Sequence, residues 1–412
     1  MRIALFLPHL GVSGGLGVHC RGVVAALLRV APQIQLTIFA PRNPLALFPL
    51  AGIEDDWKPL IADPRVTYAP FAWPPGSSLA DPLDPILAPL LAEHPCDLLL
   101  CSYYTGMERP PCPQAVVFHD AGFLENPQVF GETATRRRAA VEKCRPAIDR
   151  LICVSADGRD RICRLLPFDP AGTAVVWHAL SDRDELLKIS NTASKFTGLL
   201  WPGGDTLADW GRYAFSPVGA ATGFNRVRKN VPKGVAGFRR AALPDVKLVI
   251  ASTGTLNERI LAELLPAEEL ASGSIERGAW RSTDGAIIVL PNLDREPFLA
   301  AMSRAAVILY PTRYEGFGLP AVEAMTLGVP LIAGRSTSLP EVVGDAGLLV
   351  DPDDVDGFAH ALRQILTEPR FAAVLVQKGK LRAREFTLER MGREMIAVFE
   401  EMKAQGRPSP GF

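Results

Sequence analysis

Two tandem α/β domains, each built on a parallel sheet, are what this 412-residue sequence predicts, and three observations carry the prediction. Short apolar runs of strand length alternate with helical patterns along most of the chain, as β-α-β crossovers require. Glycine-rich turns stand between a strand and a helix near both ends, at residues 11–17 and 316–318, as in the opening of a Rossmann-like half. Between them, from about 181 to 218, the periodicity lapses, and Gly198, Pro202-Gly203-Gly204 and Pro217 punctuate the gap. The expected organisation is therefore a Rossmann-like domain at 1–180, an inter-domain connection at 181–218 and a second Rossmann-like domain at 219–385. A C-terminal helix and tail at 386–412 are expected to pack back on the first domain.

The elements follow in order. Residues 3–7 form the first strand, the glycine turn comes next, and Val18, Val23, Val24, Leu27 and Leu28 mark a helical face. Strands are expected at 35–39, 97–101, 114–118, 151–154 and 173–177. After the connection they resume at 247–251, 286–290, 305–310, 330–333 and 347–350, with helices at 231–242, 295–303 and 355–366. Residues 371–405 read as helical, and 406–412 as a frayed tail.

Composition narrows the function. A formal net charge of −1 and no long basic block argue against nucleic-acid binding. Arg136-Arg137-Arg138 is a local cluster, read as a solvated helical turn or a weak contact with an anionic lipid or acceptor. Seven cysteines, all in the first half and without a Cys-x-x-Cys pair, indicate neither a disulfide framework nor a zinc site. No apolar run reaches the roughly 18 residues that span a bilayer, so a cytoplasmic protein is expected, with peripheral membrane contact left open.

Four stretches could carry chemistry. The first glycine turn fails as a dinucleotide fingerprint: counted from Gly15, Gly-x-Gly-x-x-Gly meets Cys20, and Ala40-Pro41-Arg42 follows the second strand where an acidic residue belongs. It is either a tight packing turn or a backbone contact to a diphosphate. At 221–230, Gly223 permits close approach, and Arg228-Lys229 places two cations before a helix, where they suit a diphosphate. His119-Asp120 stands at the carboxyl end of a buried strand, where parallel sheets bind ligands. His19 lies on the first helix, while His94, His178 and His360 have no motif around them. Last, Glu315-Gly316-Phe317-Gly318-Leu319-Pro320 runs from a strand into a helix that continues past Glu323. Its glycines and the helix N-terminus suit an anion, with a carboxylate on either side to accept hydroxyl hydrogen bonds. That combination suggests a nucleotide-sugar.

Glu315 through Met325, followed by Gly328-Val329-Pro330 and Ser338-Leu339-Pro340-Glu341-Val342, closely resembles the Glu-x7-Glu region of the family 4 retaining glycosyltransferases. Gly14-Gly15-Leu16-Gly17 resembles that family's N-terminal loop, His119-Asp120 its mid-domain histidine, Val154-Ser155 a recurrent strand end, and Arg228-Lys229-Asn230 its basic donor motif. The resemblance covers most of the chain and is most specific in its second half. It implies the GT-B fold, two Rossmann-like domains facing a cleft, and transfer of a mannose- or glucose-type hexose from a nucleoside-diphosphate-sugar with retention. The acceptor would be a saccharide, glycolipid or small molecule.

By the same resemblance Glu323 holds the donor ribose and Glu315 the transferred sugar. Gly316, Phe317, Gly318 and Leu319 meet sugar or phosphate, and Arg228 and Lys229 take the diphosphate. Gly14, Gly15 and Gly223 pass close to the donor, and His119 touches the sugar hydroxyls. Pro291-Asn292 stands where the family usually has a glycine near the base, which places Asn292 with the donor-binding residues. Nor does the additional arginine of some members follow Gly223, so Lys229 is expected to carry more of the phosphate charge. No cofactor is implied, and no carboxylate cluster suggests Mn²⁺ or Mg²⁺. Two alternatives stay open: a phosphorylase or epimerase on the same plan, and a non-catalytic nucleotide-sugar-binding subunit.

Overall fold

A computed structural model describes residues 1–412 apart from 11–14, 43–53, 75, 182, 193–199, 221–223, 254–255, 292 and 406–412. Gly14, Gly223 and Asn292 thus lie outside the described residues. The chain divides into two units, Met1–Ser181 with Phe386–Phe412, and Asp182–Glu385.

In the first unit the strands are β1 (Arg2–Phe6), β2 (Gln35–Pro41), β3 (Val66–Phe71), β4 (Leu98–Cys101), β5 (Gln114–Phe118), β6 (Arg150–Cys153) and β7 (Thr173–Val175). They form one sheet in the order β3-β2-β1-β4-β5-β6-β7, every neighbouring pair parallel. Such strands are covered on both faces, so β4, β5 and β6 are buried throughout and read as apolar runs, unbroken in β4 and opened by Gln114 in β5 and Arg150 in β6. The edge strand β3 is half-exposed and carries Pro70, tolerated at an edge, and gave no apolar run to read. Phe6, Phe39, Leu99, Val116, Phe118 and Leu151 belong to the packed core on this sheet.

The second unit holds β8 (Arg212–Ala220), β9 (Val246–Thr253), β10 (Gly273–Glu276), β11 (Ala279–Ser282), β12 (Ile287–Leu290), β13 (Val307–Tyr310), β14 (Leu331–Gly334) and β15 (Leu348–Val350). Their order is β10-β11-β12-β9-β8-β13-β14-β15, parallel from β12 to β15, with an antiparallel hairpin at the β10 edge. This corrects the expectation of a connection reaching 218. Arg212–Ala220 is a central strand between β9 and β13, and Pro217 sits at its register shift, where a missing ladder donor is tolerated.

The helical stretch at 371–405 also resolves differently from the sequence reading. It is two helices, Pro369–Arg382 in the second unit and Leu388–Gln405 in the first, separated by a turn at Ala383–Glu385. The later helix packs on Gly15–Val30 so closely that a Cβ at Gly392 would lie 2.5 Å from the Ala26 carbonyl oxygen. Arg29 and Glu389 pair across that contact, and Trp177 lies between the Phe386 ring and the Arg390 guanidinium.

The arginine run is not a free basic patch. Arg136 pairs with Asp81 and Arg138 with Glu142, while Arg137 turns inward over the rings of Tyr103, Tyr104 and Phe123. Among the described residues no helix is long and apolar enough to cross a membrane.

Candidate active site

In the second sheet the chain moves outward from β8 through β9 and β12, then returns to start again at β13 on the other side of β8. The order therefore reverses between β8 and β13, and in open α/β sheets that reversal is where ligands bind, at the carboxyl ends of the strands. The basic pair follows β8 and the Glu-bracketed loop follows β13, so both motifs are delivered to this reversal.

Their geometry is specific. Lys229 Nζ donates to Glu315 Oε1 at 2.8 Å and to the Tyr310 hydroxyl at 3.2 Å, and Arg228 Nη1 donates to Glu315 Oε2 at 3.2 Å. Glu315 is 6% exposed and Lys229 8%, so the pair is largely withdrawn from water. Lys229 Nζ also stands 5.0 Å from the centre of the Tyr310 ring. The two cations and one carboxylate sum to a net charge of +1, which favours an anion. Burial pushes Lys229 down to about 8, with Arg228 adding to the effect and Glu315 only partly offsetting it. Glu315 responds oppositely: burial alone would raise it, but Arg228 and Lys229 together hold it below the usual carboxylate range.

Both ends of this cluster are held by backbone. Asn230 breaks the short helix Phe224–Lys229 from Val231–Ala241 by taking a left-handed conformation, φ +52°, which asparagine tolerates better than most residues. Its Nδ2 donates to the carbonyls of Pro311 at 2.9 Å and Pro352 at 2.7 Å, and its Oδ1 accepts from Arg313 Nε at 3.0 Å. Asn230 thereby ties the basic motif to the segment after β13. On the other side, the Glu315 N–H donates to Thr337 Oγ1 at 2.8 Å and its carbonyl accepts from Ser338 Oγ at 3.0 Å. Thr337 and Ser338 lie in the stretch after β14 and were not identified as holding Glu315. A serine or threonine in a loop gives no sign from sequence of which backbone group it serves.

The glycine loop closes the site. Gly316 and Phe317 lead to Gly318, which precedes the helix Leu319–Leu327 with φ +95°, and Pro320 occupies its first turn. A Cβ on Gly318 would stand 2.6 Å from Leu339 Cδ2. Gly318→Ala is therefore expected to destabilise the fold by about 1–3 kcal/mol, measurable in chemical denaturation; a wild-type midpoint would show that the loop relaxes freely. Glu323, 3% exposed, lies on this helix and accepts a hydrogen bond from Arg295 Nη2 at 2.6 Å. Arg295 opens the helix Arg295–Arg304 and was missed, because the sequence reading saw that helix only through its apolar face.

In the first unit Gly15 begins the helix Gly15–Val30 and is exposed. His119 follows β5 and is buried, its Nε2 2.8 Å from the Ser102 carbonyl oxygen. Two histidines that sequence left unassigned, His19 and His178, lie beside it. Their Nδ1 atoms are 2.9 Å apart, and the His119 and His178 rings stack at 5.6 Å. Burial lowers all three, so the cluster is neutral at pH 7. The same cause takes nearby His9 down to about 3.

Comparison with known proteins agrees with this architecture. Residues 223–368, which contain the basic pair and both glutamates, match the family model described as glycosyl transferases group 1. The O-antigen chain mannosyltransferase B of Escherichia coli is 39% identical over 126 residues, 31% of this chain and 32% of that protein. The MMP alpha-(1->4)-mannosyltransferase of Mycolicibacterium hassiacum is 41% identical over 117 residues, 27% of this chain and 28% of its own. The chain thus spans about a third of the length of these curated relatives. Among solved structures, sucrose-phosphate synthase from Thermosynechococcus elongatus superimposes with a TM-score of 0.67 at 20% identity, covering 98% of this chain and 100% of that one. The fold is the GT-B fold, and the match to the group 1 glycosyl transferase model is confined to residues 223–368.

Proposed function

We propose that this protein is a retaining glycosyltransferase, moving a mannose- or glucose-type hexose from a nucleoside-diphosphate-sugar to an acceptor hydroxyl in glycan, polysaccharide or glycolipid synthesis. The observation that carries the reading is the convergence of Arg228 and Lys229 on Glu315 at the sheet's reversal point, beside the N-terminus of Leu319–Leu327. The names of the two mannosyltransferase relatives support a hexose donor.

In this reading the donor diphosphate takes over the two cations and leaves Glu315 to accept from hydroxyls of the transferred sugar. As the bond from the anomeric carbon to the diphosphate oxygen breaks, its electron pair stays on that oxygen. Arg228, Lys229 and the helix N-terminus stabilise the growing charge. The acceptor oxygen bonds to the anomeric carbon on the same face, and its proton passes to the departing phosphate. This scheme calls for no metal at the diphosphate. Glu323 accepts from the ribose hydroxyls in competition with Arg295, and a role for His119 at the sugar hydroxyls belongs to the same proposal.

A thermal-shift panel of UDP, GDP and ADP with their glucose and mannose derivatives tests it. A bound nucleotide at about 100 times its dissociation constant adds about 2.7 kcal/mol, and Glu323→Gln is expected to weaken that nucleotide roughly tenfold by loss of one charge-assisted bond. If no nucleotide shifts the midpoint, the donor seat is misassigned.

A further inference from the structure

We propose that His19, His119 and His178 form a binding site in the first unit for a transition-metal dication of the Zn²⁺ type. One ligating nitrogen from each ring lies within 4.8 Å of the other two, and all three side chains are buried. In a tetrahedral zinc site with zinc to nitrogen bonds of about 2.0–2.1 Å, ligand nitrogens stand roughly 3.3 Å apart. The His19 and His178 Nδ1 atoms, at 2.9 Å, are already closer than that. Opening that pair by a few tenths of an ångström and drawing the third ring inward by roughly 1.5 Å completes a three-nitrogen face.

The protonation pattern fits the same cation. A carbonyl oxygen only accepts, so the 2.8 Å contact with Ser102 fixes the hydrogen of His119 on Nε2 and leaves its Nδ1 with a lone pair. An imidazole whose second nitrogen donates to a backbone carbonyl is the usual arrangement of a metal-ligating histidine. At 2.9 Å the His19 and His178 Nδ1 atoms either share a hydrogen bond, one Nδ1–H donating to the other's lone pair, or, with both hydrogens on Nε2, turn two lone pairs toward a cation. Three neutral imidazoles with no carboxylate among them select Zn²⁺, Cu²⁺ or Ni²⁺ over Mg²⁺, Ca²⁺ or Mn²⁺. With Nε2 on the Ser102 carbonyl and Nδ1 on the cation, His119 has no nitrogen left for a sugar hydroxyl, so a metal here replaces that proposed role; the inference does not rest on the transferase reading.

The test uses the full chain, stripped with a chelator and titrated with Zn²⁺ against a chromogenic competitor, then with Co²⁺ while the visible spectrum is recorded. One equivalent of Zn²⁺ is expected, together with Co²⁺ ligand-field bands of a nitrogen-rich site. His178→Ala and, separately, His19→Gln are expected to weaken Zn²⁺ by more than about 100-fold, beyond the loss typical of an outer-shell partner. Exposed His360→Ala is the control and should bind as wild type. Zn²⁺ should raise the melting temperature of the wild type and leave that of His178→Ala unchanged. No bound equivalent, undiminished affinity in both variants, or a thiolate charge-transfer band pointing to the cysteines would overturn the proposal. Should both variants fail to fold, the wild-type Co²⁺ spectrum decides alone, and absence of the nitrogen-site bands rejects the site.

Discussion

Lys229→Ala is expected to lower kcat by about 10²–10³-fold while moving the unfolding midpoint by only a few degrees. Removing one preorganised donor at a site of developing negative charge typically costs about 3–4 kcal/mol of barrier. Lys229 is placed to supply such a contact: it is 8% exposed, so water neither screens its charge nor replaces it. Stability should suffer less, because Glu315 keeps Arg228 at 3.2 Å, the amide bond to Thr337 and the carbonyl bond from Ser338. The carboxylate stays paired, so the larger penalty of a stranded buried charge does not arise. Steady-state kinetics beside a denaturation curve checks both halves. A folded variant with wild-type turnover would remove Lys229 from the chemistry.

The residues that meet at the reversal of the second sheet were legible in sequence because each side of that cluster is a short local pattern. Glu315 through Glu323 shows strand, glycine loop and helix start within fourteen residues of Tyr310, and Arg228-Lys229 shows as a basic pair before a helix. What sequence did not show is why the two meet. That depends on β8, which was hidden because Pro217 and the glycines before it read as a broken segment, whereas the strand absorbs the proline at a register shift. Without β8 the basic pair follows no strand, and the reversal between β8 and β13 has no first member.

The partners of the site were less legible for another reason. Arg295, Thr337 and Ser338 act through single contacts made across the fold, and a hydroxyl or guanidinium in a loop or at a helix start carries no periodic signal. The histidine cluster is an extreme case: His19 and His178 stand 159 residues apart, on a helix and after the last strand of the first sheet. Only the parallel order of that sheet, which brings the carboxyl ends of its strands to one side, places them beside His119.

The pH profile provides the second strong prediction, since Lys229 is pushed down to about 8. In the free enzyme kcat/KM is expected to be level below that value and to fall about tenfold per pH unit above it, as the ammonium that meets the diphosphate is lost. Stability should move the other way. Between about 8 in the folded protein and 10.5 in the unfolded chain, the unfolded state holds more protons, so the stability contributed at this residue rises with pH across that window. The buried ammonium therefore costs stability at neutral pH, and the cost is relieved where activity disappears. Glu315 has the opposite sense at the acid end. Its contribution is present above its unfolded value of 4.5 and is lost as pH falls through its lower folded one. Lys229→Arg separates charge from shape: a guanidinium stays protonated throughout, so the alkaline limb should flatten even though its planar fork lowers the plateau. An alkaline limb of unchanged position in Lys229→Arg would assign the titration to another group. Opposed trends in activity and stability above pH 8, both abolished by that substitution, would identify the ammonium held against Glu315 as the charge the reaction uses.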